Sequence, residues 1–379
     1  MTAQPQDSLL RRIWLQPESC SQLDEPSWDL LVRQARHANL LGRLYRLFEQ
    51  HGLLEAVLPR ARNHMLSAAT LATRQHQAVR LEARILRDTL AELGLPLILL
   101  KGAAYVLAGL PAVQGRVFAD VDILVPRERL DEVESRLILT GWLSANSNAY
   151  DQRYYRQWMH ELPAMQHMAR GSALDVHHTI LPPTSKLKPD PAKLIAASVE
   201  VPGEPGIRVL SPCDLVLHSA VHLFHEGEAD NLLRDLSDLD LLLRHFGADP
   251  RFWPELVARA KEMTLDGPLR LALRYAALVL GTPVPAEARA ASGADRAEPL
   301  DRLYLRILTP RHSSSAGPNA RLFRAALYVR GHWLRMPPHL LAYHLVHKAL
   351  WPADEAPRPL NDPLQDPLKD PLKPTDPRP

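Results

Sequence analysis

Cysteine is nearly absent from this sequence: Cys20 and Cys213 are the only two in 379 residues, and there is no Cys-x-x-Cys. That excludes a disulfide framework and a cysteine-built zinc site, and it fits a reducing compartment. No uncharged apolar run approaches the roughly 18 residues a membrane-spanning helix needs. The opening stretch MTAQPQDSLLRRIWLQPESC places charges where the apolar segment of a signal peptide would run. A soluble, cytoplasmic protein is the expectation. There is also no excess of either charge: 45 Lys and Arg stand against 43 Asp and Glu, a formal net of +2. Bulk charge therefore argues neither for nor against nucleic acid; only a clustered basic face would. Apolar residues are plentiful at 46%, enough for a sizeable core, and 17 histidines leave a histidine-based metal site open.

Along the chain the pattern changes character several times. Residues 1–93 carry apolar residues at helical spacing, in SWDLLVRQARHANLLGRLYRLFEQHG and again in LSAATLATRQHQAVRLEARILRDTLAELG, ending at Gly52 and Gly94. LPLILL (95–100) is short and wholly apolar, which favours a buried strand. KGAAYVLAGL then reads as a short helix, VDILVP as a second strand and RERLDEVESRLILTG as an amphipathic helix. Strand character follows around RYYRQWMH, AMQHMA and SALDVHHTIL. The order predicts an α+β core at 94–185, with helices packed on a mixed sheet. Residues 186–210 read as a proline-rich joint and 211–352 as a helical domain opened by the capping pattern Ser211-Pro212-x-Asp214. In 353–379 Asp-Pro-Leu recurs every four residues, which predicts a disordered tail, either merely solvated or docking a protein partner.

The chemistry concentrates in GRVFADVDILVP. Asp120 and Asp122 stand two apart at the start of a strand, so both project from one face. Like charges there repel unless a cation lies between them. A pair of carboxylates so placed suits Mg²⁺ or Mn²⁺, hard ions that take oxygen ligands and substrate phosphates. Asp175, between apolar Leu174 and Val176, can face the same cleft from a later strand and help remove a proton. Upstream, Lys101-Gly102 ends a strand at a helix start, where backbone N–H groups and a lysine attract phosphate. Arg116 stands four residues before Asp120 and can reach a phosphate as well. Each feature alone has a plain structural reading: a turn device for Asp-x-Asp, an ordinary strand-to-helix turn for Lys-Gly-Ala. Their conjunction in this order is more specific.

At these residues the chain resembles the nucleotidyltransferase superfamily of DNA polymerase beta-like and kanamycin nucleotidyltransferase-like folds. More narrowly, it resembles a poorly characterised bacterial nucleotidyltransferase group. The resemblance rests on LILLKGAAY, GRVFADVDILVP, the helix ending in Gly141-Trp142, LDVHH and LLRDLSDLDLLL, over roughly residues 90–245. It implies Asp120, Asp122 and Asp175 as catalytic metal ligands, Lys101, Gly102 and Arg116 as nucleotide-binding residues, and a nucleoside triphosphate (NTP) as substrate. The acceptor is left open: a small molecule, an RNA end or a protein. The resemblance also implies that Asp175 and His177 form an acid-x-His pair. Two positions depart from the pattern. Gly102 is followed by Ala103 and Ala104, so the hydroxyl usual at this turn is missing, and Asp175 stands where the narrower group often has glutamate. The missing hydroxyl motivates an alternative, a nucleotide-binding or interaction protein on the same fold without turnover.

His218, His222 and His225 fall within about 60° of one another on a helix. Three readings stand open: a metal site completed by Asp235 or Asp238, histidines bonded to carboxylates of the next helix, or a brace in which His222 and Asp238 hold the helical domain against the cleft. The stretch 324–351 mixes arginines with aromatics; it reads as a packed helix broken at Pro337-Pro338, or as a basic surface for nucleic acid or membrane.

Overall fold

The computed structural model of the chain describes residues 8–118, 120–144, 152, 155–156, 158–225, 231–315 and 319–337. The proline-rich segment 353–379 lies outside them.

From Leu9 to Ala91 the chain is largely helical, as its periodicity predicts. α1 (Leu9–Leu15) starts at Ser8, whose hydroxyl accepts from the Arg11 N–H, and α2 (Glu25–His37) starts at Asp24, which accepts from Ser27. α3 (Leu41–Gln50) leads to α4 (Pro59–Ala91), 33 residues long. Ala61, Met65, Ala69, Ala72, Val79, Ala83, Leu86 and Leu90 recur at three- and four-residue spacing along its buried face. Small residues along that face let α3 approach closely. A Cβ on Gly42 of α3 would lie 2.6 Å from the carbonyl oxygen of Gly115, and Gly115 has φ +65°. The backbone of α3 is thereby seated against the turn that leads into the second strand.

Among the described residues the mixed sheet has seven strands in the order β3-β4-β5-β2-β1-β7-β6. They are β1 (Leu97–Leu99), β2 (Asp120–Leu124), β3 (Trp142–Ser144), β4 (Met165–His167), β5 (Ala173–His177), β6 (Val199–Glu200) and β7 (Ile207–Val209). β2 runs parallel to β5 and β1 parallel to β7, while the other neighbours are antiparallel. The central strands are apolar because both faces are covered. Leu97, Ile98 and Leu99 are all buried, with α4 and the short α5 (Lys101–Leu107) among the covering elements. α6 (Leu130–Leu139) returns the chain to β3. The α+β class expected from the sequence is the class observed.

Two local readings need correction. Within RYYRQWMH, the described residues Tyr155, Arg156 and Trp158 are helical rather than extended. The strand-like piece begins later, at His160–Leu162. There His178 N–H donates to the His160 carbonyl and Leu162 N–H to the Val176 carbonyl, at 2.9 Å each. The segment 186–210 is more than a joint. It holds α7 (Pro191–Ala197) and the strands β6 and β7, and β7 lies inside the sheet beside β1.

Beyond β7, α8 (Pro212–His225) opens with the expected cap. Asp214 N–H donates to Ser211 Oγ at 3.3 Å, and that hydroxyl donates to Asp214 Oδ2 at 2.8 Å. α9 (Leu232–Phe246), α10 (Phe252–Glu262) and α11 (Asp266–Leu280) pack on α8. α12 (Ala286–Ser292), α13 (Asp301–Ile307) and α14 (Ala320–Arg335) follow, with α14 ending just before Pro337. One continuous apolar core runs from Leu9 through the sheet to Leu327. No helix among the described residues is long and apolar enough to cross a membrane.

Candidate active site

The site grows from the register of two parallel strands. Asp120 pairs with Ala173, Asp122 with Asp175 and Leu124 with His177. Paired residues on neighbouring strands project to the same side, as do residues two apart. Asp120, Asp122, Asp175 and His177 therefore share one face. One ligand atom from each of Asp122, Asp175 and His177 lies within 4.8 Å of the others, a spacing that a shared cation could close; Asp120 is not a member of that group.

Lys101 enters from β1. Leu100 N–H still donates to the Asp122 carbonyl at 2.9 Å. The chain must then pass from sheet to helix within one residue. Lys101 makes that turn at φ +44°, a left-handed conformation that is strained for a lysine. Its ammonium group donates to Asp122 Oδ1 at 2.8 Å, and His177 Nε2 lies 3.0 Å from the same oxygen. Burial pushes the Asp122 carboxyl up. Lys101 and His177 outweigh that effect and hold it well below the usual carboxylate range. Asp120 is shifted the other way: burial and then the Asp122 charge raise it, with Lys101 and Arg116 offsetting only part. Among the described residues Asp120 forms no ion pair.

Arg116 and Gly102 are interlocked. A Cβ on Gly102 would lie 2.5 Å from Arg116 Nη1 and 2.9 Å from Phe118 Cγ, so only glycine lets the arginine lie across the start of α5. The guanidinium sits between the rings of Tyr105 and Phe118, at 5.8 and 5.2 Å from their centroids. Its Nε donates to Asp238 Oδ2 at 2.8 Å, and Arg43 Nη2 donates to the other carboxylate oxygen at 2.8 Å. Nη1 of Arg116 is buried with no hydrogen-bond partner among the described residues. α4 fixes the same lead-in. Gln75 accepts from the Phe118 N–H at 3.0 Å and donates to its carbonyl, while His76 Nε2 lies 2.8 Å from the Arg116 carbonyl oxygen.

A second ring of polar groups surrounds His177. Glu161 pairs with His177 in an antiparallel bridge, and its Oε2 lies 3.3 Å from His177 Nδ1. His160 is buried, with its ring centroid 5.1 Å from that of His177. His218 on α8 is buried within electrostatic reach of Lys101 and His177. Burial, then those two neighbours, drives both His160 and His218 well below the ordinary imidazole value.

The candidates named from sequence are thus partly gathered and partly dispersed. Asp120, Asp122, Asp175, His177, Lys101 and Gly102 converge, and Arg116 lies against Gly102. The histidines of α8 diverge. His218 faces Lys101 and His177. The Nδ1 atom of His222 lies 3.7 Å from Asp235 Oδ2. His225 is pushed down to about 4 by burial, then by Arg330 and Arg335. Among the described residues His218, His222 and His225 join no common cluster. His222 follows the reading in which a carboxylate of the next helix receives it. Asp238 is a brace to Arg116 and Arg43. Sequence reasoning missed Glu161, His160, Arg43 and Gln75. The available signal was the His-Glu dipeptide at the end of RYYRQWMH; Arg43 and Gln75 carried none.

A family model described as an uncharacterised nucleotidyltransferase matches residues 24–281. The chain belongs to that family. The match takes in α2 to α11 and every site residue named above. No curated protein and no solved structure matches the chain.

Proposed function

We propose that the chain catalyses divalent-metal-dependent transfer of a nucleoside monophosphate from an NTP to an acceptor hydroxyl or phosphate. The observation that carries this reading is the register that sets Asp122 beside Asp175 on parallel strands, with Asp120 on the same face. A cation fits there on physical grounds. The Asp120 carboxyl is raised by burial and then by the Asp122 charge, which Lys101 and Arg116 offset only in part, an arrangement that Mg²⁺ or Mn²⁺ would relieve. Asp120, Asp122 and Asp175 would hold it, and bound metal would supply charge stabilisation to the phosphates in flight.

The chain's own groups divide the remaining work. Lys101 and the unpartnered Nη1 of Arg116 offer positive charge to the triphosphate. Gly102 lets Arg116 lie against the start of α5. Asp175 accepts the proton of the attacking hydroxyl as its oxygen bonds to the α-phosphorus and pyrophosphate leaves. His177, on Asp122, orients that carboxylate.

A second reading, nucleotide binding without turnover, is favoured by one observation. Asp122 Oδ1 is already engaged by Lys101 and His177, and Ala103 supplies no hydroxyl at the turn. One paired experiment separates the readings: label transfer from α-labelled NTPs across a panel of acceptors, beside calorimetry with Mg²⁺ and NTP. Transfer by the wild type that falls at least a hundredfold in Asp120→Asn, Asp122→Asn supports catalysis. Binding without transfer by any acceptor supports the second reading. Transfer that survives the double substitution removes the mechanism.

A further inference from the structure

The acid trio leaves a neighbouring group unexplained. An ionised carboxylate only accepts hydrogen bonds, so the His177 Nε2 that meets Asp122 Oδ1 at 3.0 Å carries the proton. The other ring nitrogen, Nδ1, faces Glu161 Oε2 at 3.3 Å. A lone pair directed at a carboxylate oxygen is repulsive unless something positive lies between them. A proton shared between His177 and Glu161, or a bound cation, removes that repulsion.

His160 stands beside the same pair. It is 5% exposed, its Nδ1 is buried with no hydrogen-bond partner among the described residues, and its Nε2 lies 3.9 Å from the same Glu161 oxygen. A cation uses that buried imidazole. One ligand atom from each of His160, Glu161 and His177 lies within 4.8 Å of the others. Tetrahedral bonds of about 2.1 Å need ligand atoms roughly 3.4 Å apart, a contraction within reach of small side-chain rotations. The backbone holds all three in place: Glu161 is bridged to His177, and the His160 carbonyl accepts the His178 N–H at 2.9 Å.

We propose that His160, Glu161 and His177 form a second cation site for a divalent transition metal of the Zn²⁺ or Co²⁺ class. Two imidazoles and one carboxylate suit those ions and are a poor set for Mg²⁺, which prefers oxygen alone. The Asp122 carboxylate, receiving the His177 Nε2–H, then fixes the tautomer that directs Nδ1 at the metal, the arrangement common behind metal-bound histidine. The site goes beyond nucleotidyl transfer, and its occupancy is measurable without any turnover.

The test uses the full chain, stripped with a chelator and titrated with Co²⁺ while visible d–d absorption is recorded. One bound Co²⁺ with the intensity of a four-coordinate, imidazole-containing site is expected. Glu161→Gln keeps the side chain's shape and should weaken binding at least tenfold with an unchanged near-ultraviolet circular dichroism spectrum; His160→Gln should do the same. Asp120→Asn, which alters only the acid trio, should leave the band in place. The proposal is overturned if the wild type develops no such band, if the band survives both Glu161→Gln and His160→Gln, or if Asp120→Asn abolishes it. The last outcome would assign the ion to the acid trio and leave the transfer reading intact.

Discussion

At the scale of single residues, the two aspartates of β2 are held in opposite protonation tendencies by their surroundings. Asp122 has Lys101 and His177 bonded to it, whereas Asp120 has burial and the Asp122 charge against it. The sign of the pH dependence follows. Asp120 binds its proton more tightly folded than unfolded, so its contribution is present below the ordinary carboxylate value, about 3.9, and is lost as pH rises through the raised value. Asp122 runs the other way: its contribution is present above the ordinary value and is lost as pH falls through the lowered one. Asparagine at 120 does not titrate. In divalent-free buffer, Asp120→Asn should therefore melt at a higher temperature than wild type at pH 7–8, with the gap closing toward pH 4. Mg²⁺ should raise the wild-type melting temperature more than the variant's. Melting curves that stay parallel from pH 4 to 8 would show that Asp120 carries no unfavourable charge. This pair was legible in the sequence, because period-two alternation on a short apolar strand dictates that Asp120 and Asp122 share a face. Glu161 and His160 were not, since an isolated bridge has no periodicity to read and its neighbours in sequence are helical.

Between elements, the site depends on a clamp that no local pattern could reveal. Asp238 on α9 receives Arg43 from α3 and Arg116 from the lead-in to β2, and all three side chains are almost fully buried. Burial lowers the Arg43 guanidinium against the pull of Asp238, while Arg116 is held above its ordinary value because Asp238 and Asp235 outweigh its burial. Asp238→Asn removes the negative charge and leaves two buried guanidinium groups facing each other. The loss expected is about 3–5 kcal/mol, read as a lowered urea midpoint. Asp29→Asn, which breaks the exposed pair with Arg33 on α2, should change stability by less than about 1 kcal/mol. Equal effects from the two substitutions would mean that the clamp is not a buried charge network. The helices themselves were readable from apolar spacing, and at Ser211 from the cap. The partners of Asp238 were not, because their separation along the chain leaves each arginine looking like any other on an amphipathic surface.

Over the whole molecule, the sequence divides the chain where composition shifts, whereas the physical core ignores those joints. β1 lies between β2 and β7, and β7 comes from the segment whose prolines and glycines disguise a strand of three residues. Leu97, Ile98 and Leu99 pair with Ile207, Arg208 and Val209 on that side. Leu86 and Leu90 of α4 are fully buried in the same continuous core. A fragment limited to 94–185 would keep β1 to β5 but turn β1 into an apolar, unpaired edge and strip the helices that cover it. It would also lose both Arg43 and Asp238, leaving Arg116 without its counter-charge. The expectation is a fragment with no cooperative thermal transition by circular dichroism, beside a full chain that melts cooperatively. A sharp, reversible transition in the fragment would make 94–185 an independent folding unit, and the surrounding helices would then be additions to a finished sheet rather than part of what holds the acidic face together.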